Sequence, residues 1–342
     1  MDITPEFRSL AREFSLGGVI LFARNIEEPG QVAELSHRLQ ALACDQPIWV
    51  SVDQEGGRVA RLRAPFTEWP PMAALGRSGS VALATRFGIA LARELRAVGV
   101  TLDYAPVLDI NTNPRNPIIG DRALAADPEL VGRFGAAIIR GLQQEGVAAC
   151  GKHFPGHGDT SVDSHLELPL VEHPPDRIRR VECVPFRHAI EAEVAFIMTA
   201  HVLVPSLDET WPSTLSPRVV QAILRDELGY SGVIVSDDLE MKAIASSYTV
   251  ADAAVQAVSA GCDALLICAG DVEVQAVALE ALVHAVEEER IPYARFEDAI
   301  VRQRRAKERF LEARVERRPA AYEQVLGCDA HRRIADEMGR FV

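Results

Sequence analysis

The sequence lacks any apolar run near the ~20 residues that a membrane-spanning helix requires, so it offers no transmembrane candidate. It also lacks a basic surplus. Its 36 Lys and Arg stand against 49 Asp and Glu, for a formal charge of −13. A nucleic-acid or anionic-membrane surface would need clustered Lys and Arg, so neither partner is expected, whereas a neutral, sugar-like substrate is compatible. None of the six cysteines forms a Cys-x-x-Cys pair, and four lie in or beside apolar runs. Reduced, buried thiols in a cytoplasmic protein are the expectation. The first residues, Met1-Asp2-Ile3-Thr4-Pro5-Glu6, are polar and acidic, unlike a secretory leader. No Gly-x-Gly-x-x-Gly opens a helix after a strand and no Walker-type loop is present, so a nucleotide cofactor is unsupported.

What is present is alternation. Short apolar runs at 17–22, 48–52, 100–108, 146–151, 194–198, 232–235 and 264–267 read as strands. Segments with apolar residues at helical spacing separate them, at 29–43, 80–97, 128–144, 176–192, 217–228 and 249–260. A short helix at 5–15 precedes them, and helices at 272–289 and 294–313 follow. Pro185 lies inside 176–192 and predicts a kink or break there. From about residue 318 a helical tail is expected to pack on the outside of a single domain spanning 1–342. The strands are continuously apolar, as in a parallel sheet covered by helices on both faces. Seven strands are legible, and a TIM-type (β/α)8 barrel needs eight. Either the chain begins after a first strand, or an irregular segment fills its place.

The polar residues recur at strand C-termini: Arg24, Asp53, Asp109, Lys152 with His153, His201 and Asp237. A barrel gathers such ends on one face, where active sites are built. The densest stretch is Lys152-His153-Phe154-Pro155-Gly156-His157-Gly158-Asp159 and its continuation to Asp163-Ser164-His165, which reads as a loop after a buried strand. In Asp163-Ser164-His165 a carboxylate beside an imidazole favours the protonated ring, a device for delivering a proton. Alone, the same triplet would be an ordinary turn with a solvated His. Of Asp237 and Asp238, the first is the better placed to point inward from a strand end as nucleophile, base or ligand. The second is then left to capping or hydrogen bonding. Asp53 could accept two sugar hydroxyls. Arg58 or Arg61, and Arg122 on another strand exit, could donate to carbonyls or hydroxyls, although a lone Arg is more often a surface ion pair. His153, His157 and Asp159 are chemically suited to a cation. Pro155 and Gly156 between the two His break the helical spacing that would orient them, so no metal is expected. A Schiff base at Lys152 is disfavoured by its polar surroundings.

Taken together, Lys152–Asp159, Val162–His165, Val52-Asp53-Gln54-Glu55-Gly56-Gly57-Arg58 and Ser236-Asp237-Asp238 resemble the bacterial β-N-acetylhexosaminidases of glycoside hydrolase family 3, from about residue 16 to 315. The resemblance implies a single (β/α)8 barrel without metal or cofactor. It implies release of terminal β-linked N-acetylglucosamine from cell-wall fragments in the cytoplasm, during peptidoglycan recycling. It implies Asp237 as nucleophile, His165 as acid/base with Asp163 as its partner, and Asp53, Arg61, Arg122, Lys152 and His153 as contacts to the sugar. It also implies a strand ahead of segment 5–15, which the first residues do not supply. Three other outcomes stay open on the residues: phosphorolysis, attack by the substrate's own acetamido group, and sugar binding without turnover.

Overall fold

Apolar runs that show no alternation must be covered on both faces, and those at Trp49–Val52, Ala148–Phe154 and Phe196–Thr199 are buried throughout. The computed structural model describes residues 3–160, 163–164, 167–312 and 322–342. Strands β1 (Gly18–Leu21), β2 (Trp49–Val52), β5 (Leu102–Asp103), β6 (Ala148–Phe154), β7 (Phe196–Thr199), β8 (Val233–Asp238) and β9 (Ala264–Leu266) form one sheet in that order. Every neighbouring pair in it is parallel. A small antiparallel hairpin, β3 (Gln54–Gly56) with β4 (Val59–Ala60), follows β2.

The sheet is curled. Trp49 of β2 and Phe196 of β7 meet edge to face at 5.2 Å, although β5 and β6 lie between their strands. Helix α11 (Tyr293–Phe310) closes the end where the strands begin. Its Phe310 lies 6.4 Å from the Trp49 ring, and Gln303 accepts a 3.3 Å hydrogen bond from the Trp49 indole. The outer layer is larger. Helices α4 (Val81–Ala97), α5 (Pro128–Gln144) and α7 (Val184–Glu191) bury Phe87, Phe134 and Phe186 against the sheet. Each such ring contributes roughly 1.5–3 kcal/mol by leaving water. The fold is therefore the expected alternating barrel type. Among the described residues no strand stands between β1 and β9, and Arg24 donates across that seam to the Cys268 carbonyl.

Several local expectations are corrected. The run 100–108 is regular strand only at Leu102–Asp103, with an isolated bridge from Val107 to Lys152; Pro106 has no N–H to donate, but its carbonyl still accepts from the Lys152 N–H at 3.2 Å. Strand β6 extends to Phe154, so Lys152 and His153 are strand residues and the loop starts after them. The span 176–192 is broken, as its proline suggests, into two helices, α6 (Pro175–Arg180) and α7, but at a different place. The break precedes Pro185, which sits in the first turn of α7, where its missing N–H is harmless. Hairpin β3–β4 and helix α3 (Met72–Arg77) gave too short a pattern to be read from periodicity.

Beyond residue 321, helices α12 (Tyr322–Val325) and α13 (Asp329–Gly339) pack back on the barrel. A buried carboxylate fastens them. Glu94 of α4 accepts from Thr67 N–H (2.9 Å), Thr67 Oγ1 (2.6 Å), Gly327 N–H (2.9 Å) and His331 Nδ1 (2.9 Å). Removing an acceptor shared by this many buried donors is expensive. Glu94→Ala is expected to lower unfolding stability by about 3–5 kcal/mol, measured as a drop in the urea midpoint at unchanged slope. His331→Ala, which removes one donor, should lose clearly less.

Candidate active site

The C-terminal ends of β2, β6 and β8 converge as a barrel requires, and the polar side chains there organise around one buried amine. Lys152 of β6 reaches Asp53 at 2.8 Å and Glu55 at 2.7 Å. Arg122 grips the same Glu55 with Nε and Nη2, both at 2.8 Å, in a bidentate fork. Arg61 reaches the other oxygen of Asp53 at 3.3 Å. The side chains of Lys152 and Glu55 are only 3% and 1% exposed, so these charges survive through one another. Burial pushes the Glu55 carboxyl upward, but Arg122 and Lys152 outweigh it and hold it far below the usual carboxylate range. Burial likewise works against charge on Lys152, yet Asp53 and Glu55 raise its pKa above the ordinary lysine value.

Gln54 holds the hairpin in shape. Its side chain accepts from the Arg61 and Leu62 N–H groups (2.8 and 3.0 Å) and donates to the Leu62 carbonyl (2.8 Å). Arg58 points the other way, to Asp121 at 3.2 Å on the surface, which leaves Arg61 as the guanidinium on Asp53.

A second group hangs from Asp109, just past β5. Its carboxylate takes His153 Nδ1 at 2.7 Å and the His157 N–H at 2.6 Å. Burial would raise its pKa, but His153 and His157 bring it below the ordinary value. The following turn lies hard against this segment: a Cβ on Gly158 would come within 1.8 Å of the Ile110 carbonyl oxygen, so only glycine fits. His157 is buried, and that burial brings its pKa down to about 4, so the ring is neutral at neutral pH. The three groups considered as a cation site face separate partners: His153 faces Asp109, His157 faces Thr160 and Ser164, and Asp159 pairs with His173. Among the described residues no set of three or more metal-ligating side chains converges.

Asp237, near the end of β8, is half-buried. Desolvation raises its pKa, but His201 and His153 oppose this, and the Asp238 N–H donates to it at 2.8 Å, so the carboxyl titrates below its ordinary value. Asp238 behaves oppositely. Burial and the neighbouring Asp237 and Glu240 carry it up to about 6 against the donated N–H groups of Glu240 and Cys268. It ties β8 to the segment just past β9 through the Cys268 N–H at 3.2 Å, and accepts the Glu240 N–H of its own turn at 3.1 Å. Asp163 is described beside this site, with its carbonyl accepting from the Glu167 N–H at 3.0 Å. His165 lies outside the described residues. Thus Asp53, Arg61, Arg122 and Lys152 fall in one network, His153 joins Asp109, and Asp237 lies within electrostatic reach of Lys152 and His153. Glu55 was not singled out from sequence, and Asp109, noted among the polar strand ends, was given no role there. Glu55 could have been found by its place in the same strand exit as Asp53.

Residues 2–306 match the glycosyl hydrolase family 3 N-terminal domain. The chain belongs to that family. A beta-hexosaminidase of Nitrosomonas eutropha is 43% identical over 259 residues, which cover 74% of this chain and 74% of that protein. A glycoside hydrolase family 3 beta-N-acetylglucosaminidase from Paenibacillus sp. str. FPU-7 matches with a TM-score of 0.94 at 43% identity over 98% of this chain; this chain spans 65% of that one. NagZ from Neisseria gonorrhoeae, solved in complex with N-trifluoroacetyl-D-glucosamine, matches with a TM-score of 0.81 at 31% identity over 99% of this chain and 94% of that one.

The charge network predicts a pH-dependent stability. Glu55 has a depressed pKa, so its contribution is complete above the ordinary value of 4.5 and is lost as pH falls toward the folded value. Glu55→Gln should cost about 3–5 kcal/mol near neutral pH, because it leaves Arg122 without its carboxylate and Lys152 with Asp53 alone. The gap from the parent chain should stay constant between about pH 8 and pH 5 and narrow below about 4.5. Chemical unfolding at stepped pH measures both arms.

Proposed function

We propose that this member of family 3 is a retaining β-N-acetylhexosaminidase that removes terminal β-linked N-acetylglucosamine through a covalent intermediate on Asp237. The observation that carries the reading is the place of Asp237 at the mouth of β8, where its carboxyl accepts the Asp238 N–H at 2.8 Å and where His201, His153 and Lys152 hold it below the ordinary carboxyl value. A nucleophile must be unprotonated and must face the sugar. Asp53 and Lys152, with Arg61 and Arg122 behind them, supply fixed acceptors and donors for its hydroxyl and acetamido groups.

In the first step an Asp237 oxygen attacks the anomeric carbon, the glycosidic bond breaks, and the leaving oxygen takes a proton from His165. In the second, water gives a proton back to His165 and attacks the same carbon, and Asp237 leaves as carboxylate. Most retaining glycosidases use two carboxylates for these roles; here His165 with Asp163 stands in for the acid/base. The names of the relatives support the hexosaminidase specificity. Fragments of peptidoglycan in the cytoplasm are the proposed substrate, on the motif resemblance set out above. No described helix is long and apolar enough to cross a membrane.

Asp237→Asn should lose several orders of magnitude in kcat with an unchanged melting profile. Asp238→Asn, which keeps an oxygen toward Glu240 and Cys268, should stay within about tenfold of the parent. A reversed order would transfer the nucleophile's role to Asp238. Turnover should survive exhaustive chelation; activity lost to a chelator and restored by one divalent ion would overturn the metal-free mechanism. Running the same assay with and without inorganic phosphate, and identifying the released sugar, separates hydrolysis from phosphorolysis.

A further inference from the structure

Ser164 lies between the two members of the proposed dyad in sequence, and it is buried, at 3% exposure. A serine in a polar turn has no intrinsic reason to be covered. Its two polar groups show what holds it. Its hydroxyl is 3.1 Å from His157 Nε2, and its carbonyl accepts from the Ala243 N–H at 3.2 Å. Ala243 belongs to the short helix α8 (Lys242–Ala245), which directly follows the strand carrying Asp237.

The His157 ring is fixed in turn. Its Nδ1 lies 2.9 Å from Thr160 Oγ1, and that hydroxyl donates to the His157 carbonyl at 3.1 Å. Asn116 donates to the same carbonyl at 2.8 Å and to Thr160 Oγ1 at 3.2 Å, and Asp109 takes the His157 N–H. One proton arrangement satisfies every group. Thr160 O–H goes to the carbonyl, His157 Nδ1–H to Thr160 Oγ1, and Ser164 O–H to the lone pair on Nε2.

We propose that Ser164 is a positioning residue of the active site, tying the chain between Asp163 and His165 to the Lys152–His157 strand exit through His157 and to the Asp237 strand exit through Ala243. It touches no substrate. Its function is to set where the acid/base pair stands relative to the nucleophile. This rests on the roles assigned to Asp163 and His165 under the proposed function.

The test compares the parent chain with Ser164→Ala, His157→Leu, the double variant and, as a control, His165→Ala. Each is assayed on an unactivated β-linked N-acetylglucosamine disaccharide and on dinitrophenyl N-acetylglucosaminide, whose leaving group needs no proton. Melting profiles establish folding. Ser164→Ala should lower kcat/KM on the disaccharide about tenfold and on the dinitrophenyl substrate less than about twofold. The double variant should be no worse than the poorer single variant, because both remove one contact. Equal loss on both substrates, no loss on either, or additive losses in the double variant would overturn the proposal. If His165→Ala shows the leaving-group dependence and Ser164→Ala does not, the positioning role alone is overturned. If His165→Ala lacks it, the dyad assignment falls and the positioning role falls with it.

Discussion

The site depends on keeping an ammonium ion charged where water cannot reach it. Lys152 is tolerated at 3% exposure only because Asp53 and Glu55 both meet it and Arg122 completes the balance on Glu55. Such a group cannot be assembled piecemeal, since each missing partner strands a buried charge. It therefore fixes the relative positions of the β2 exit, the β6 exit and the loop of Arg122. The donors and acceptors of this network are thereby held in fixed directions before any ligand arrives.

The protein also separates neighbouring groups by environment. Asp237 and Asp238 are adjacent in sequence, yet one titrates below the ordinary carboxyl value and the other is carried up to about 6. The difference lies in what faces them: His201, His153 and an N–H group for the first, and like charge with burial for the second. His153 and His157 divide in a similar way. The first pairs with the Asp109 carboxylate, while the second faces hydroxyls and stays neutral.

Much of the fold was legible because buried parallel strands leave an unmistakable mark, short runs such as Val194–Met198 with no polar interruption. Where a run contained Pro106, apolar composition overstated the regular strand, although the proline that interrupts it is visible in the sequence. Lys152 and His153 were read as loop because they are polar, and only the cluster around them makes strand burial tolerable. Asp53, Arg61 and Arg122 were each legible as residue types at strand exits, but their shared dependence on Glu55 and Lys152 was not. That dependence joins segments 67 and 99 residues apart, and short-range periodicity carries no information at that distance. Ser164 was hidden for the same reason, inside a motif whose titratable neighbours drew the attention.

The seam between β1 and β9 gives the barrel a gradient. Strand β6 is the middle of the seven, three strands from either edge, whereas β8 is one strand from the open side. Amide protection in a sheet falls toward an edge that lacks a neighbour, and partial opening runs inward from it. Lys152 thus sits on the most sheltered strand of the sheet, and Asp237 on the strand next to its edge. Under mild denaturing stress the two should part company, the charge network around Lys152 outlasting the arrangement around Asp237.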